Sequence, residues 1–273
     1  MVLNALGIDV EEWYHLCGLN MPSGLSNDYE SRVVKNTEKM LELLDASGVK
    51  ATFFILGVIA ERFPELVKKI DERGHEIASH GYKHLELFNH SPDSFKEDLK
   101  KSINILKGIT GKPVLGYRAP GFSITTGSLW AIDILVQTGI KYDCSIFPIH
   151  HPRYGIRSAS PLPYRIRPDL IEFPPSTIRF LGENLPIAGG AYLRILPFTL
   201  IKTAMENLNN HDIAVNTYLH VWEADIEQPK LKIPMSRRFT HYAGIKETQA
   251  KFENLLTHFR YAPISQVIQD GRF

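Results

Sequence analysis

Cysteine and long apolar runs are scarce in this chain of 273 residues. Its two cysteines, Cys17 and Cys144, are too few for a disulfide framework and share no C-x-x-C spacing. No stretch approaches the roughly 18 apolar residues of a membrane-spanning helix. Residues 1–9 lack the basic start of a signal peptide and reach an acid early. We therefore expect a soluble, cytoplasmic protein without a transmembrane segment.

An excess of charge of either sign is also absent. Lys and Arg total 31, and Asp and Glu total 30, which gives a net charge of +1. This balance does not indicate a nucleic acid or an anionic membrane as a partner. With 44% hydrophobic residues the chain can bury a sizeable core, and we expect one domain over residues 1–273. A homo-oligomer is compatible with this composition.

Strand and helix patterns alternate along the first half of the chain. An apolar run at residues 2–10 predicts a buried strand that ends at acids. Further strands are predicted at 50–56, 75–79, 113–118 and 140–145, and helices at 34–44, 64–73, 92–109 and 126–138. This alternation predicts a parallel sheet, closed as a barrel or open and doubly wound, and we favour the barrel.

The alternation breaks down at about residue 147. Residues 147–195 are rich in Pro, Gly, Arg and aromatic residues, which predicts an irregular insertion with a few short strands. Regular patterns then predict a helix at 198–208, a strand at 213–220 and a final helix at 245–259. The part after about residue 221 is interpreted as a C-terminal extension.

Two histidines and a group of acids are candidates for a metal site. His80 and His84 are four residues apart, so a helical turn or a tight loop can direct both imidazoles at one ion. Strand alternation places Asp9 and Glu11 on one face and Glu12 on the other. One carboxylate could bind the cation and another could take a proton from water. Exposed histidines and solvated or helix-capping acids are the alternatives.

Two more candidates lie at predicted strand ends. Arg118 precedes a Pro-Gly turn and could orient a buried carboxylate, although a surface turn explains the same residues. His220 ends a late apolar strand, where a histidine can serve as a general acid. Trp222 beside it could stack on a sugar ring. A lone histidine at a strand end is more often structural.

In this order, the segments from Asp9 to His220 resemble the NodB-type polysaccharide deacetylases of carbohydrate esterase family 4. More narrowly, residues 9–13, 142–149, 153–156 and the tail after His220 resemble the branch found with bacterial exopolysaccharide synthesis and export loci. The resemblance implies an α/β fold, namely a distorted (β/α)7 barrel. It also implies an N-acetylated glycan as substrate and hydrolysis of its acetamide, with release of acetate.

The resemblance also assigns catalytic roles. Asp9 matches the general base, Arg118 matches the arginine that holds this base, and His220 matches the general acid. His80 and His84 match the two imidazoles that bind one divalent metal ion. Two imidazoles and a carboxylate favour zinc, and they also accept cobalt, nickel, manganese or iron.

The acidic metal ligand and the fourth family motif depart from the usual pattern. The family's acidic ligand directly follows the base, where this chain has Val10. The ligand is then Glu11 or Glu12, and the strand-face argument favours Glu11. Ile146 and Phe147 occupy the places of an Asp and a Trp that support the acid histidine. That carboxylate is therefore missing or supplied elsewhere.

Several aromatic and basic residues are candidates for substrate contacts. Gly121 stands where the family usually has an aromatic residue, and Phe122 follows it. We expect Phe122, Phe147 and Trp222 to contact substrate. The insertion and the C-terminal extension could each shape one wall of a groove, and solvated loops explain the same residues about as well: His150, His151, Arg153 and Tyr154 in the insertion, and Arg237, Arg238, His241 and Tyr242 in the extension.

Two other functions remain open from the sequence. A related amidase that acts on a small non-carbohydrate amide would use the same groups, because a fold does not fix a substrate. A sugar-binding protein without turnover would explain the missing fourth-motif acid and the altered Asp-x-Glu segment. Acetate release from a glycan distinguishes the deacetylase from both alternatives.

Overall fold

A parallel β-sheet forms the centre of the protein, and most helices pack on its outer face. The computed structural model describes residues 2–17, 19 and 24–271. The strands are β1 (Leu3–Val10), β2 (Thr52–Ile55), β3 (Glu76–Ser79), β4 (Gly116–Tyr117), β5 (Tyr142–Asp143), β6 (Tyr164–Arg167), β7 (Leu170–Glu172), β8 (Thr177–Phe180), β9 (Glu183–Pro186), β10 (Asn216–His220) and β11 (Arg260–Ala262).

Ten α-helices connect or flank these strands in the described part of the chain. They are α1 (Val33–Ala46), α2 (Gly57–Arg62), α3 (Pro64–Glu72), α4 (Pro92–Thr110), α5 (Trp130–Gln137), α6 (Gly190–Ile195), α7 (Phe198–Asn210), α8 (Met235–Tyr242), α9 (Ile245–His258) and α10 (Ile264–Asp270). Among the described residues, no helix combines the length and the apolar character needed to cross a membrane.

The longest helix, α4, has clear start and stop signals in its sequence. Ser91 and Ser94 form a reciprocal capping box at its start, and Pro92 occupies the first turn, where its missing N–H has no cost. Gly111 ends the helix at φ 71°, a left-handed conformation that glycine adopts without strain. These signals explain why the predicted bounds of 92–109 are nearly those observed.

The strand order is β10-β1-β2-β3-β4-β5-β7-β6, with β11 also paired to β1. All pairs in this sheet are parallel except β6 with β7. The segment after β7 returns to β10, where the Asn216 side-chain amide donates to Phe173 O at 2.8 Å. Tyr218 N donates to Ala188 O at 2.9 Å on the same side. The sheet therefore curls toward closure by loop contacts rather than by another strand.

Alternation along β1 separates the outer core from the barrel interior. Leu6, Ile8 and Val10 are fully buried in the main hydrophobic cluster with the surrounding helices. Ala5 faces the opposite side, in a smaller interior cluster with Ile264 of α10. Burying each large aliphatic side chain contributes roughly 1.5–3 kcal/mol. The small inward side chains leave room for polar groups at the other end of the strand.

The carboxyl ends of the strands meet at one edge of the sheet. Asp9 is paired with His220 across β1 and β10. His80 N donates to Ile55 O, and Arg118 N donates to Ser79 O, each at 3.0 Å. The strand register thus brings four predicted site residues to the same level.

Several predicted elements differ from those observed. The helix predicted at 245–259 is not the final one, because β11 and α10 follow it. The helix predicted at 126–138 begins as a 3-10 turn, and α5 covers only its later part. The prediction also lacked α2 and α8. α8 has Met235, Phe239 and Tyr242 at helical spacing, but Met235 and Phe239 are exposed and the helix buries only His241.

Candidate metal centre

Glu11, His80 and His84 form a compact cluster at this edge. Their candidate ligand atoms all lie within 4.8 Å of one another, and the three residues are buried. His84 Nε2 lies 2.6 Å from Glu11 Oε2, and His80 Nε2 lies 3.7 Å from the same oxygen. Two imidazole nitrogens and one carboxylate are a donor set that suits a divalent transition metal. The residues therefore fit the metal that the resemblance implies.

Local backbone structure directs both imidazoles inward. His80 Nδ1 donates to Arg118 O at 2.8 Å, which leaves Nε2 for an ion. His84 lies in a loop rather than a helical turn, at φ 59°. A non-glycine residue in this left-handed region is strained and needs support from its surroundings. Asp98 supplies part of it by accepting from Tyr82 N at 2.7 Å.

The charge state of Glu11 also suits a cation. Burial alone would raise the pKa of Glu11, but His84, His220 and His80 outweigh it and hold this pKa well below its usual value. The carboxylate is therefore ionised at neutral pH. An ionised, buried carboxylate facing two imidazoles is a ready anionic ligand.

Glu12 is directed away from this cluster. Its carboxylate accepts from the Ser31 hydroxyl and from Arg32 N, the latter at 3.0 Å. Burial raises the pKa of Glu12. Of the two acids that the sequence left open, Glu11 is the one that the structure brings to the histidines.

Asp9 and Arg118 form a buried ion pair beside the cluster. Arg118 Nη1 lies 2.6 Å from Asp9 Oδ1, and neither side chain is more than 3% exposed. The guanidinium also lies over the Phe54 ring at 4.1 Å. A Cβ atom at position 7 would approach Arg118 nitrogens to 2.8–2.9 Å, so Gly7 leaves the space that the guanidinium occupies. This contact fixes one oxygen of Asp9 and leaves the other toward His220.

His220 lies between Asp9 and Glu11 on one side and the Glu223 carboxylate on the other. Its Nε2 is 3.8 Å from Asp9 Oδ2 and 3.7 Å from Glu11 Oε1. Its Nδ1 donates to Glu223 Oε2 at 3.1 Å. Burial lowers the pKa of His220, while Glu11 and Asp9 act to raise it. Glu223 thus occupies the place of the supporting carboxylate that the sequence left unassigned.

Arg194 completes this arrangement from α6. Its guanidinium is ion-paired with Glu223, and both residues are almost fully buried. Sequence reasoning missed both residues. Glu223 carried a usable signal, since it follows His220 by three residues at a strand end. Arg194 carried none, because its contact depends on how the irregular segment folds back.

Trp222 lines the cavity, so its contact with substrate stays a prediction, although other side chains cover most of its ring. The indole Nε1 donates to Glu11 Oε1 at 2.9 Å. The ring also stacks on His220 and on His241, and the residue is only 5% exposed. Trp222 therefore has a ready role in orienting Glu11, and its contacts leave little ring surface for substrate.

The two predicted aromatic contacts differ in position. Phe122 lines the cavity in front of the cluster. Phe147 packs behind it, with ring centroids 5.1 Å apart, and is 1% exposed. Phe147 is therefore separated from the cavity surface by Phe122 and supports it. The Phe122 N–H donates to Ala119 O at 3.1 Å, which helps to fix this turn.

A cavity of about 200 Å³ opens onto this cluster. Arg153 and Tyr154 from the insertion line it, as do Arg237 and His241 from the C-terminal extension. His151 lines an adjoining depression. The other predicted wall residues lie elsewhere: His150 and Arg238 are exposed, and Tyr242 packs in a separate hydrophobic cluster. Both segments therefore contribute walls, through only some of the predicted residues.

Two family models match consecutive parts of the chain. The model described as polysaccharide deacetylase matches residues 24–142. The model described as a domain of unknown function (DUF3473) matches residues 144–269. The sequence resemblance to NodB-type deacetylases is thereby confirmed.

The chain is similar to parts of three curated relatives. A peptidoglycan deacetylase-like protein of Gibberella zeae is 35% identical over 45% of this chain and 36% of its own length. A peptidoglycan-N-acetylglucosamine deacetylase of Bacillus cereus is 33% identical over 39% of this chain and 43% of its own length. A peptidoglycan deacetylase of Helicobacter pylori is 31% identical over 57% of this chain and 53% of its own length. The chain thus spans about a third to a half of the length of these relatives.

Solved structures with low identity share the whole fold. A crystal structure from Mycobacterium smegmatis, provisionally described as a polysaccharide deacetylase, has a TM-score of 0.65 at 19% identity and covers 98% of this chain and 89% of its own. Puue allantoinase has a TM-score of 0.63 at 16% identity, with the same coverage. The predicted distorted (β/α)7 barrel is confirmed. Residues 24–142 therefore match the polysaccharide deacetylase family model and residues 144–269 match the DUF3473 model, and both parts contribute strands to the same sheet.

Proposed function

We propose that the protein is a metal-dependent hydrolase that removes N-acetyl groups from an N-acetylhexosamine-containing polysaccharide or oligosaccharide and releases acetate. One observation carries this proposal. A buried Glu–His–His cluster, an arginine-held Asp9 and a carboxylate-held His220 converge on a single cavity. The deacetylase family match over residues 24–142 supports the reaction class. An exopolysaccharide as the natural polymer is part of the proposal.

Glu11, His80 and His84 would hold the metal ion, and zinc is the choice that their atom types favour. When bound, a divalent cation supplies Lewis acidity toward the acetamide carbonyl and makes nearby water more acidic. Trp222 contributes by holding one oxygen of Glu11, so that the other remains directed at His84 and His80. Such supporting contacts orient the ligand and tune its affinity.

Asp9 is the proposed general base. Arg118 engages its Oδ1, which orients the carboxylate, while Oδ2 is directed toward the cavity side where His220 lies. A base of this kind takes a proton from water as the water attacks the carbonyl carbon. Because Arg118 is buried and has this single carboxylate partner among the described residues, it holds the Asp9 carboxylate in one orientation.

His220 is the proposed general acid. Its Nδ1–H bond to Glu223 fixes the ring, so that Nε2 is the nitrogen near Asp9 and Glu11. A protonated Nε2 would deliver its proton to the departing sugar amine. Glu223, ion-paired with Arg194, holds the ring in this orientation, and the nearby Glu11 and Asp9 carboxylates are the groups that favour the imidazolium. The products are acetate and a free amino sugar.

Acetate release from N-acetylglucosamine oligomers by metal-loaded protein tests this proposal. We expect release to require the metal and to be lost in the His80→Ala, Asp9→Asn and His220→Ala variants. His211→Ala is the matched control, because His211 is exposed on α7 and bonds only to its own helix. Metal content of each variant, measured in parallel, separates loss of the ion from loss of the base or acid.

Other results would redirect the assignment. Stoichiometric metal without acetate release from any N-acetylated glycan would contradict the deacetylase proposal. Turnover of a small non-carbohydrate amide would then identify an amidase. Glycan binding without turnover would identify a sugar-binding protein.

A further inference from the structure

The cavity at the metal centre continues into a second depression of about 330 Å³. Six residues line both spaces, which makes them one groove: Arg153, Tyr154, Ala191, Tyr192, Arg237 and Thr240. All six lie within the part matched by DUF3473, residues 144–269. The groove therefore leads away from the metal centre along a surface that the domain of unknown function supplies.

Two guanidinium groups line this continuation. Arg153 Nη2 is 2.8 Å from Glu86 Oε1, while its side chain remains 25% exposed. Arg237 Nη2 donates to Cys17 O at 3.1 Å. Arg237 has no carboxylate within 4.0 Å among the described residues, unlike the other three arginines of the cavity. Among the described residues, Arg237 is thus the one arginine of the cavity that no carboxylate neutralises by direct contact.

The charged groups around Arg237 act on its pKa in both directions. Burial lowers its pKa and nearby Arg153 lowers it further, whereas Glu86 and Cys17 act in the opposite direction. A second positive charge nearby is unfavourable unless an anion lies against the pair. An anionic ligand group would remove that repulsion, and a guanidinium pair offers several donors in planar geometry for it.

Aromatic side chains form the rest of the wall. Tyr154 stacks on His151 with ring centroids 3.8 Å apart. Tyr192, from α6, also lines both spaces. Aromatic rings with polar tips provide apolar surface for a ring-shaped ligand and keep hydrogen-bonding groups at its edge. Their combination with two cations suits a charged sugar better than a neutral one.

We propose that Arg153 and Arg237 bind an anionic substituent, a carboxylate or a phosphate, on the sugar unit next to the one that is deacetylated. This inference rests on the proposed function, because the metal centre defines which sugar is the neighbour. The N-acetylated polymer would accordingly be an acidic glycan or a phosphate-linked sugar rather than a neutral chitin-like chain.

Binding to the metal-loaded Asp9→Asn protein tests the proposal without turnover. The calorimetric probes are a tetrasaccharide of alternating N-acetylglucosamine and glucuronic acid, neutral chitotetraose, and UDP-N-acetylglucosamine. We expect Arg237→Gln to weaken binding of an anionic probe by about 10- to 100-fold, the usual range for hydrogen bonds to charged groups. Binding of chitotetraose should change less than about twofold. Arg238→Gln, on the exposed side of the same helix, is the matched control.

A second variant and the pattern of losses guard against a merely structural effect. Arg153→Gln should reproduce the selective loss for the same anionic probe, and unfolding temperatures identify any damaged variant. If the substitutions weaken binding of the glucuronic acid tetrasaccharide alone, the bound group is a carboxylate. If they weaken binding of UDP-N-acetylglucosamine alone, the bound group is a phosphate. The proposal is wrong if neither anionic probe binds more tightly than chitotetraose, or if the preference survives both substitutions.

The outcome is separable from the proposed function. Acetate release from chitotetraose by the wild-type protein reports on the deacetylase reaction, whatever the arginines do. Release that is unaffected by anionic substituents would overturn this inference and leave the function standing. Arginine-dependent binding of an anionic probe, without acetate release from any glycan, would leave the subsite standing and overturn the function.

Discussion

The two halves of the chain contribute to the cavity in different ways. The first half supplies Asp9, Glu11, His80 and Arg118 from the ends of adjacent parallel strands or directly after them. In the second half, His220 continues this strand-end pattern, whereas Arg194 comes from α6, in the irregular segment before α7. Side chains of the first half are therefore positioned by strand register, and much of the second half by long-range packing.

Contacts between the halves link the two contributions. Trp222 donates to Glu11, and His220 lies within 3.8 Å of Asp9. Glu223 and Arg194 in turn fix His220 from behind. On the proposed function, the first half would supply the metal ligands and the base, and the second half would supply the general acid His220, the groups that orient it and the wall that contacts the ligand.

The largest effect is expected from removal of the base in the first half. Asp9→Asn keeps the shape and an oxygen for Arg118 but cannot accept a proton, so kcat should fall by about 10²- to 10⁴-fold. Metal content should stay the same, because Asp9 lies outside the three-residue cluster. Steady-state acetate release and metal analysis measure both quantities. Asp133→Asn on the surface is the control, and an equal fall there would refute the assignment.

The next largest effect is expected from the support of His220 in the second half. Glu223→Gln removes the carboxylate behind Nδ1 and leaves Arg194 without its partner. We expect kcat to fall by about 10- to 100-fold with KM nearly unchanged, as for other supporting contacts of active-site histidines.

The control for this variant is Glu183→Gln, which removes an exposed ion pair with Arg157. Arg194→Gln should resemble Glu223→Gln in kcat, because either change breaks the same pair. A change confined to KM in both variants would show that the pair serves substrate binding rather than the support of His220.

A smaller effect is expected where the second half supports the metal ligand. Trp222→Phe keeps most of the ring contacts with His220 and His241 but removes the indole N–H that holds Glu11. Metal affinity should weaken by about 10-fold. Competition with a chelator measures it, and Trp130→Phe on α5 is the matched control. Unchanged affinity would mean that Glu11 is oriented by the histidines alone.

The sequence alone predicted much of the first half. The predicted alternation, continued past Val10, placed Asp9 and Glu11 on one face, and the structure brings Glu11 rather than Glu12 to the histidines. Glu11 directly follows the last residue of β1, and the strand's period of two still describes its direction there. The loop that carries His84 at positive φ was not predictable from spacing alone.

The second half was harder to predict, because its positions depend on distant partners. The preference for Trp222 as a sugar platform came from residue type, and only the tertiary structure places its N–H on Glu11. Arg194 and Arg237 lie in the short helices α6 and α8, and no pattern in their sequences indicated that both arginines reach the cavity. Phe147 carried the right residue type but lies behind Phe122.

The smallest effect concerns the boundary between the halves, where Asp143 of β5 is paired with Glu172 of β7. Burial raises the pKa of both carboxyls, that of Glu172 well above its usual value and that of Asp143 to about 6, so the folded pair holds protons that the unfolded chain releases near pH 4. The resulting stabilisation is complete below about pH 4 and is lost as the pH rises through about 6. Relative to wild type, Asp143→Asn should therefore gain on the order of 1 kcal/mol in unfolding free energy between pH 4 and 7. Urea unfolding at both pH values, with exposed Asp169→Asn as control, measures this gain, and a constant difference would show that the pair stays ionised.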